Sequence, residues 1–141
     1  MTRIAFSFIS YILAFFWFVV FCPPAGRASA QNQDVQAIEL TAKKYEYSTS
    51  PLHVKRGTKV QLKITATDHD HGFKIAAFPD GAAQGGTLGL VFASAQDCWQ
   101  LKKGETATIE FLAQATGTYT FRCCHICGPG HRGMKGELVV D

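Results

Sequence analysis

The chain has 141 residues, five of them cysteine, with 14 Lys and Arg against 11 Asp and Glu and a net charge of +3. That length supports a single domain with one core behind any targeting segment. No basic block stands out, which excludes nucleic acid as a partner, and Arg3 and Arg27 in the first thirty residues carry part of the excess charge.

Residues 1–30 read as a signal peptide. Arg3 gives a positive start, Ile4 to Phe21 is almost wholly apolar, and Ala28-Ser29-Ala30 fits a small-residue cleavage site. The apolar run also reaches the ~18 residues that a spanning helix needs, so an uncleaved anchor is the alternative. Either way residues 31–141 are expected to be exported, periplasmic or equivalent, as one domain. They are soluble after cleavage, or held at the membrane facing outward.

The following segments alternate apolar and polar residues with the period of half-buried strands. In chain order, strands are predicted at Ala37–Ala42, Leu52–Lys55, Thr58–Ala66, His71–Ala77, Glu105–Ala113, Thr118–Cys123 and Lys135–Val140. Arg56-Gly57, Lys103-Gly104 and Thr116-Gly117 punctuate them as turns, and residues 81–95 read as a long Gly/Ala-rich loop with room for one short element. No amphipathic helix of ten or more residues is expected. The pattern predicts an all-β, antiparallel sandwich. Side-chain parity puts His71 with Phe73 and Ile75, and Cys123 with Tyr119 and Phe121, on inward faces at two strand ends. His69 reads as a solvated loop histidine or an auxiliary ligand, His53 as an outward strand residue, Trp99 as core or as an electron-entry aromatic, and Lys102-Lys103 as solvated turn charges.

The chemistry is concentrated in Cys123-Cys124-His125-Ile126-Cys127-Gly128-Pro129-Gly130-His131-Arg132-Gly133-Met134. With His71, this stretch offers two thiolates, two imidazoles and a thioether. Soft sulfur ligands favour copper(I), and imidazole suits both copper states. A mononuclear blue-copper site needs only one Cys, so the second thiol is surplus there, whereas two thiolates can bridge two coppers. Zinc on Cys123, Cys127, His131 and His71, or a Cys123–Cys127 disulfide beside a core His71, are the other readings. Zinc leaves Met134 without a role.

The loop, the Asp68-His69-Asp70-His71-Gly72-Phe73 run and the Gly104-Glu105 turn together resemble the CuA domain of cytochrome c oxidase subunit II and nitrous oxide reductase. The resemblance extends from Ile38 to Val140. It implies a cupredoxin-like Greek-key β-sandwich with two coppers bridged by Cys123 and Cys127. His71 and Met134 would complete one copper, and His131 with the His125 backbone carbonyl the other. It also implies one-electron transfer with a partner such as a c-type cytochrome or another copper protein, and no catalysis by the chain alone. The chain departs from the pattern at His125, where oxidase subunits usually carry Glu, at Cys124, which replaces a usual Ser, and in the longer interval between His71 and Gly104. These departures favour a stand-alone carrier, with copper storage or delivery and a soluble oxidase subunit as alternatives. A thiol-disulfide enzyme is disfavoured because Gly128, and not Pro, follows Cys127. If copper takes Cys123 and Cys127, then Cys98 and Cys124 either pair with each other or remain a small buried residue and a shielded thiol.

Overall fold

The computed structural model describes residues 35–83 and 85–141; the signal-peptide or anchor expectation lies outside them. Strand β1 (Val35–Lys43) pairs with the short β2 (Glu46–Tyr47), and β3 (Leu52–Val54) follows. Then come β4 (Lys59–Ala66), β5 (His71–Ile75), β6 (Leu90–Phe92) and β7 (Trp99–Leu101). The chain finishes with β8 (Thr106–Ala113), β9 (Gly117–Arg122), a 3-10 turn at His131–Gly133 and β10 (Lys135–Val140). Among the described residues there is no α-helix, and no helix is long and apolar enough to cross a membrane.

Two five-stranded sheets form, in the orders β2-β1-β4-β8-β6 and β3-β10-β9-β5-β7. The antiparallel expectation is only partly met: β1 runs parallel to β4, and β3 parallel to β10. Parallel neighbours need a crossover. Here the chain leaves the first sheet after β2, lends β3 to the second, and re-enters the first as β4. Strands β2 and β7 went unread because two or three residues carry too little alternation to register. The short element expected within 81–95 is β6.

Alternation turns one face of each sheet inward. Leu40, Leu62, Ile64, Ile109 and Phe111 from one sheet belong to the same buried cluster as Phe73, Tyr119, Phe121 and Leu138 from the other. Burying each such side chain is worth roughly 1.5–3 kcal/mol. Trp99 is buried and packs on Phe73 and Phe92, as core packing predicts, while His53 is exposed. Tyr119 donates its hydroxyl to the Ala115 carbonyl at 2.8 Å, satisfying its one polar atom in this apolar setting.

Candidate metal centre

The strand ends bring the sulfur and nitrogen atoms together. Arg122 at the end of β9 is in register with Lys135 at the start of β10, and the ladder continues one step with the Cys123 amide bonding to the Met134 carbonyl at 3.0 Å. The loop of residues 123–134 is thereby pinned at both ends, and Cys123, Cys127 and Met134 turn inward and are buried. Cys123 Sγ lies 3.8 Å from Cys127 Sγ and 3.1 Å from the His125 carbonyl oxygen. Cys127 Sγ lies 3.8 Å from His131 Nδ1 and 4.0 Å from Met134 Sδ. His71, the first residue of β5, has no exposed surface at all.

Two groups of donor atoms result, each with all atoms within 4.8 Å of one another: His69, His71 and Cys127, and Cys123, Cys127 and His131. Cys127 belongs to both. Burial, followed by the hydrogen bond and charge of Cys123, pushes the Cys127 thiol up to about 11.

Asp68 organises the histidine side. Its Oδ1 accepts from His71 Nε2 at 2.7 Å and from the His69 ring and amide nitrogens at 2.9 Å each, and its Oδ2 accepts from the Lys44 amide. Burial opposes the charged carboxylate, but these hydrogen bonds outweigh it and hold Asp68 far below the usual carboxylate range. With Nε2 held by Asp68, the other ring nitrogen of His71, Nδ1, is buried with no hydrogen-bond partner. A buried polar atom without a partner is costly, and a ligand would satisfy it. The donor set, two thiols, a thioether, imidazole nitrogen and a carbonyl, fits copper by its softness.

His69 differs from the solvated-loop expectation. It is part-buried, its Nε2 lies 2.9 Å from the Cys127 carbonyl oxygen, and its ring meets His71 edge-on. Parity alone had no way to reveal this, because the contact depends on the fold of a loop 58 residues away. Lys102 is exposed at its turn, as expected, and its Nζ also donates to Asp70 Oδ2 at 2.8 Å.

Two tyrosines that the sequence pattern does not single out complete the surroundings. Tyr45 lies against the turn through Gly128 (φ +125°) and Gly130, where any Cβ would run into its ring or hydroxyl. Tyr47 donates to the Gly72 carbonyl at 2.7 Å and packs edge-on against Phe73 and Phe121. Burial, with the nearby Cys123 and Cys127, keeps its phenol protonated far beyond its ordinary range. The remaining cysteines pair: Cys98 and Cys124 form a disulfide, their Cα atoms 5.9 Å apart. The bridge passes over Gly72, where an added Cβ would meet Cys124 Sγ at 2.7 Å.

The family model for the cupredoxin-like domain matches residues 10–140. The chain belongs to the cupredoxin-like domain family. This cupredoxin is 25% identical over 117 residues to cytochrome c oxidase subunit 2 of Thermus thermophilus, covering 83% of the chain and 74% of that protein. It is 23% identical over 122 residues to nitrous-oxide reductase of Ralstonia nicotianae, of which it spans only 16% while 84% of the chain is covered. Among solved structures, the auracyanin of Roseiflexus castenholzii aligns with TM-score 0.52 and 27% identity, over 75% of this cupredoxin and 97% of that chain. The periplasmic domain of subunit II of cytochrome oxidase from Bradyrhizobium japonicum shares the fold, with TM-score 0.56 and 17% identity over 75% and 83% of the two chains.

Proposed function

We propose that this cupredoxin is an exported one-electron carrier whose loop and β5 hold a two-copper centre of the CuA type. Cys123 and Cys127 would be the shared thiolates, His71 and Met134 would hold one copper, and His131 with the His125 carbonyl would hold the other. The observation that carries this reading is that Cys127 Sγ belongs to both donor groups. A single-copper site would use one thiol and leave the other buried beside it with no role in holding the metal.

Copper supplies the one-electron couple. The chain's residues hold the donors still and keep water away. Asp68 fixes the tautomer and direction of His71. Buried Met134 and Tyr47 close the apolar side, and Tyr45 backs the loop at Gly128 and Gly130. A donor set that barely moves lowers the reorganisation that accompanies a change of charge, which is the protein's part in redox chemistry. The similarity to subunit 2 of an oxidase also supports a second reading, a soluble subunit docked on a terminal oxidase.

The test is copper analysis of the loaded domain. The expected ratio is near two per chain, falling when Cys127 is replaced by Ser. A reproducible ratio of one in the unsubstituted protein overturns the two-copper reading.

A further inference from the structure

The face of the second sheet next to the loop is cationic in a way that stability does not explain. Strand register sets Lys135 opposite Arg122, and Arg122 opposite Lys74, so three cations form one row across β10, β9 and β5. Their inward neighbours Gly136, Phe121, Phe73 and Ile75 are buried, so the three project outward. Directly opposed like charges destabilise a sheet. Among the described residues, neither these three nor Arg132 forms an ion pair; the pairs that exist lie at Lys43, His53, His69, His71 and Lys102. The acids nearest by topology are Glu137, opposite Thr120 further along β10, Asp80, whose carboxylate accepts from Thr120 two residues before Arg122, and Asp97, which shares a separate cleft with Lys74.

An open cleft of about 440 Å³ starts from this row. It is lined by Lys74, Arg122 and Arg132 together with Cys123, Cys124 and His131, and no acid lines it. The cations therefore ring the edge where two of the proposed copper ligands approach the surface. The same loop carries Ile126, whose exposure of 84% is the highest among the large apolar side chains described. An apolar contact beside a charged rim has the anatomy of a transient docking surface.

We infer that the Lys74–Arg122–Lys135 row with Arg132 is the docking surface for an acidic redox protein, whose carboxylates ring its own redox centre and seat it over His131. Complementary charge of this kind speeds encounter and orients the partner more than it tightens the complex. The inference rests on the carrier reading only for the partner being a redox protein; the charged row is independent of it.

The experiment uses an acidic c-type cytochrome as probe and compares the unsubstituted protein with K74Q/R122Q/K135Q. A control, K55Q/K59Q/K63Q, removes the same charge away from the loop. Amide NMR shifts of the metal-free protein, titrated with the cytochrome in about 10 mM and about 200 mM salt, read docking. Stopped-flow mixing of the reduced copper-loaded protein with the same cytochrome reads transfer. Expected are low-salt shifts centred on residues 74, 122, 132 and 135. The association rate should fall about tenfold or more in the row variant, with the control close to unsubstituted. Shifts intact without any electron transfer support the surface and remove the carrier reading. Equal losses in row and control variants, transfer with no salt dependence, or inorganic phosphate alone reproducing the shifts while the cytochrome gives none, overturn the docking surface.

Discussion

Removing the Cys98–Cys124 bridge, as Cys98→Ser with Cys124→Ser, is expected to destabilise the domain without unfolding it at room temperature. The bridge closes a loop with a sequence separation of 26. The chain-entropy relation for a loop of that size gives about 3.5 kcal/mol at 25 °C. The loop contains β7, β8 and β9, so the constraint falls on segments that otherwise meet only through the sheets. In a domain of this size about 3.5 kcal/mol corresponds to a fall in Tm of roughly 15 °C. Two serines are smaller than the bridged sulfurs lying against Gly72, so lost packing adds to the entropy and introduces no clash. The assay is thermal unfolding of the metal-free double-serine and unsubstituted proteins, followed by far-UV circular dichroism. Each is scanned with and without reductant. A drop below about 3 °C, or an unsubstituted protein whose Tm ignores reductant, refutes the reasoning, because a closed loop of this length has to constrain the unfolded chain.

Three further outcomes follow from the site. Met134→Leu should keep copper and change mainly the reduction potential, at a stability cost below about 1.5 kcal/mol, since the swap conserves volume in a fully buried position; loss of all metal, seen by copper analysis, contradicts it. Asp68→Asn removes the carboxylate that holds His71 and His69, and should weaken copper affinity about tenfold or more in competition with a chelator; unchanged affinity contradicts the positioning role. With its pKa raised to about 11, the Cys127 thiol is protonated at pH 8 and becomes a thiolate only as pH climbs toward that value. Its alkylation in the metal-free protein should therefore be slow at pH 8 and accelerate steeply above it, and a rate at pH 8 equal to that of free cysteine argues against the burial.

The seven strands read from alternation were legible because each is long enough, or sharply enough bounded by glycine turns, for period two to show. Lys135–Val140 matches residue for residue, and His71 opens β5 as read. The inward direction of His71 and Cys123 was legible for the same reason: parity within a strand fixes the face before any packing is known. The parallel pairs were not, because the crossover that makes β1 and β4 neighbours is set by which sheet β3 joins, and no residue of β1 or β4 records it. The Cys98–Cys124 bridge was open in the sequence, since pairing depends on a Cα separation that only the fold supplies. The roles of Asp68 and Tyr45 are not written in the sequence around them. Asp68 acts through hydrogen bonds to neighbours three residues away or fewer and to Lys44, and Tyr45 through contact with glycines more than eighty residues later. A Gly-Pro-Gly turn after a cysteine does hint at close approach by something bulky, but not by what.

The central claim is that one electron is shared by two metals bridged by Cys123 and Cys127. Its most direct test is the electron paramagnetic resonance spectrum of the oxidised, copper-loaded protein. The account predicts a hyperfine pattern from one unpaired electron interacting equally with two copper nuclei, lost in both Cys123→Ser and Cys127→Ser. A spectrum from a single copper nucleus in the unsubstituted protein, surviving in either serine variant, would contradict it.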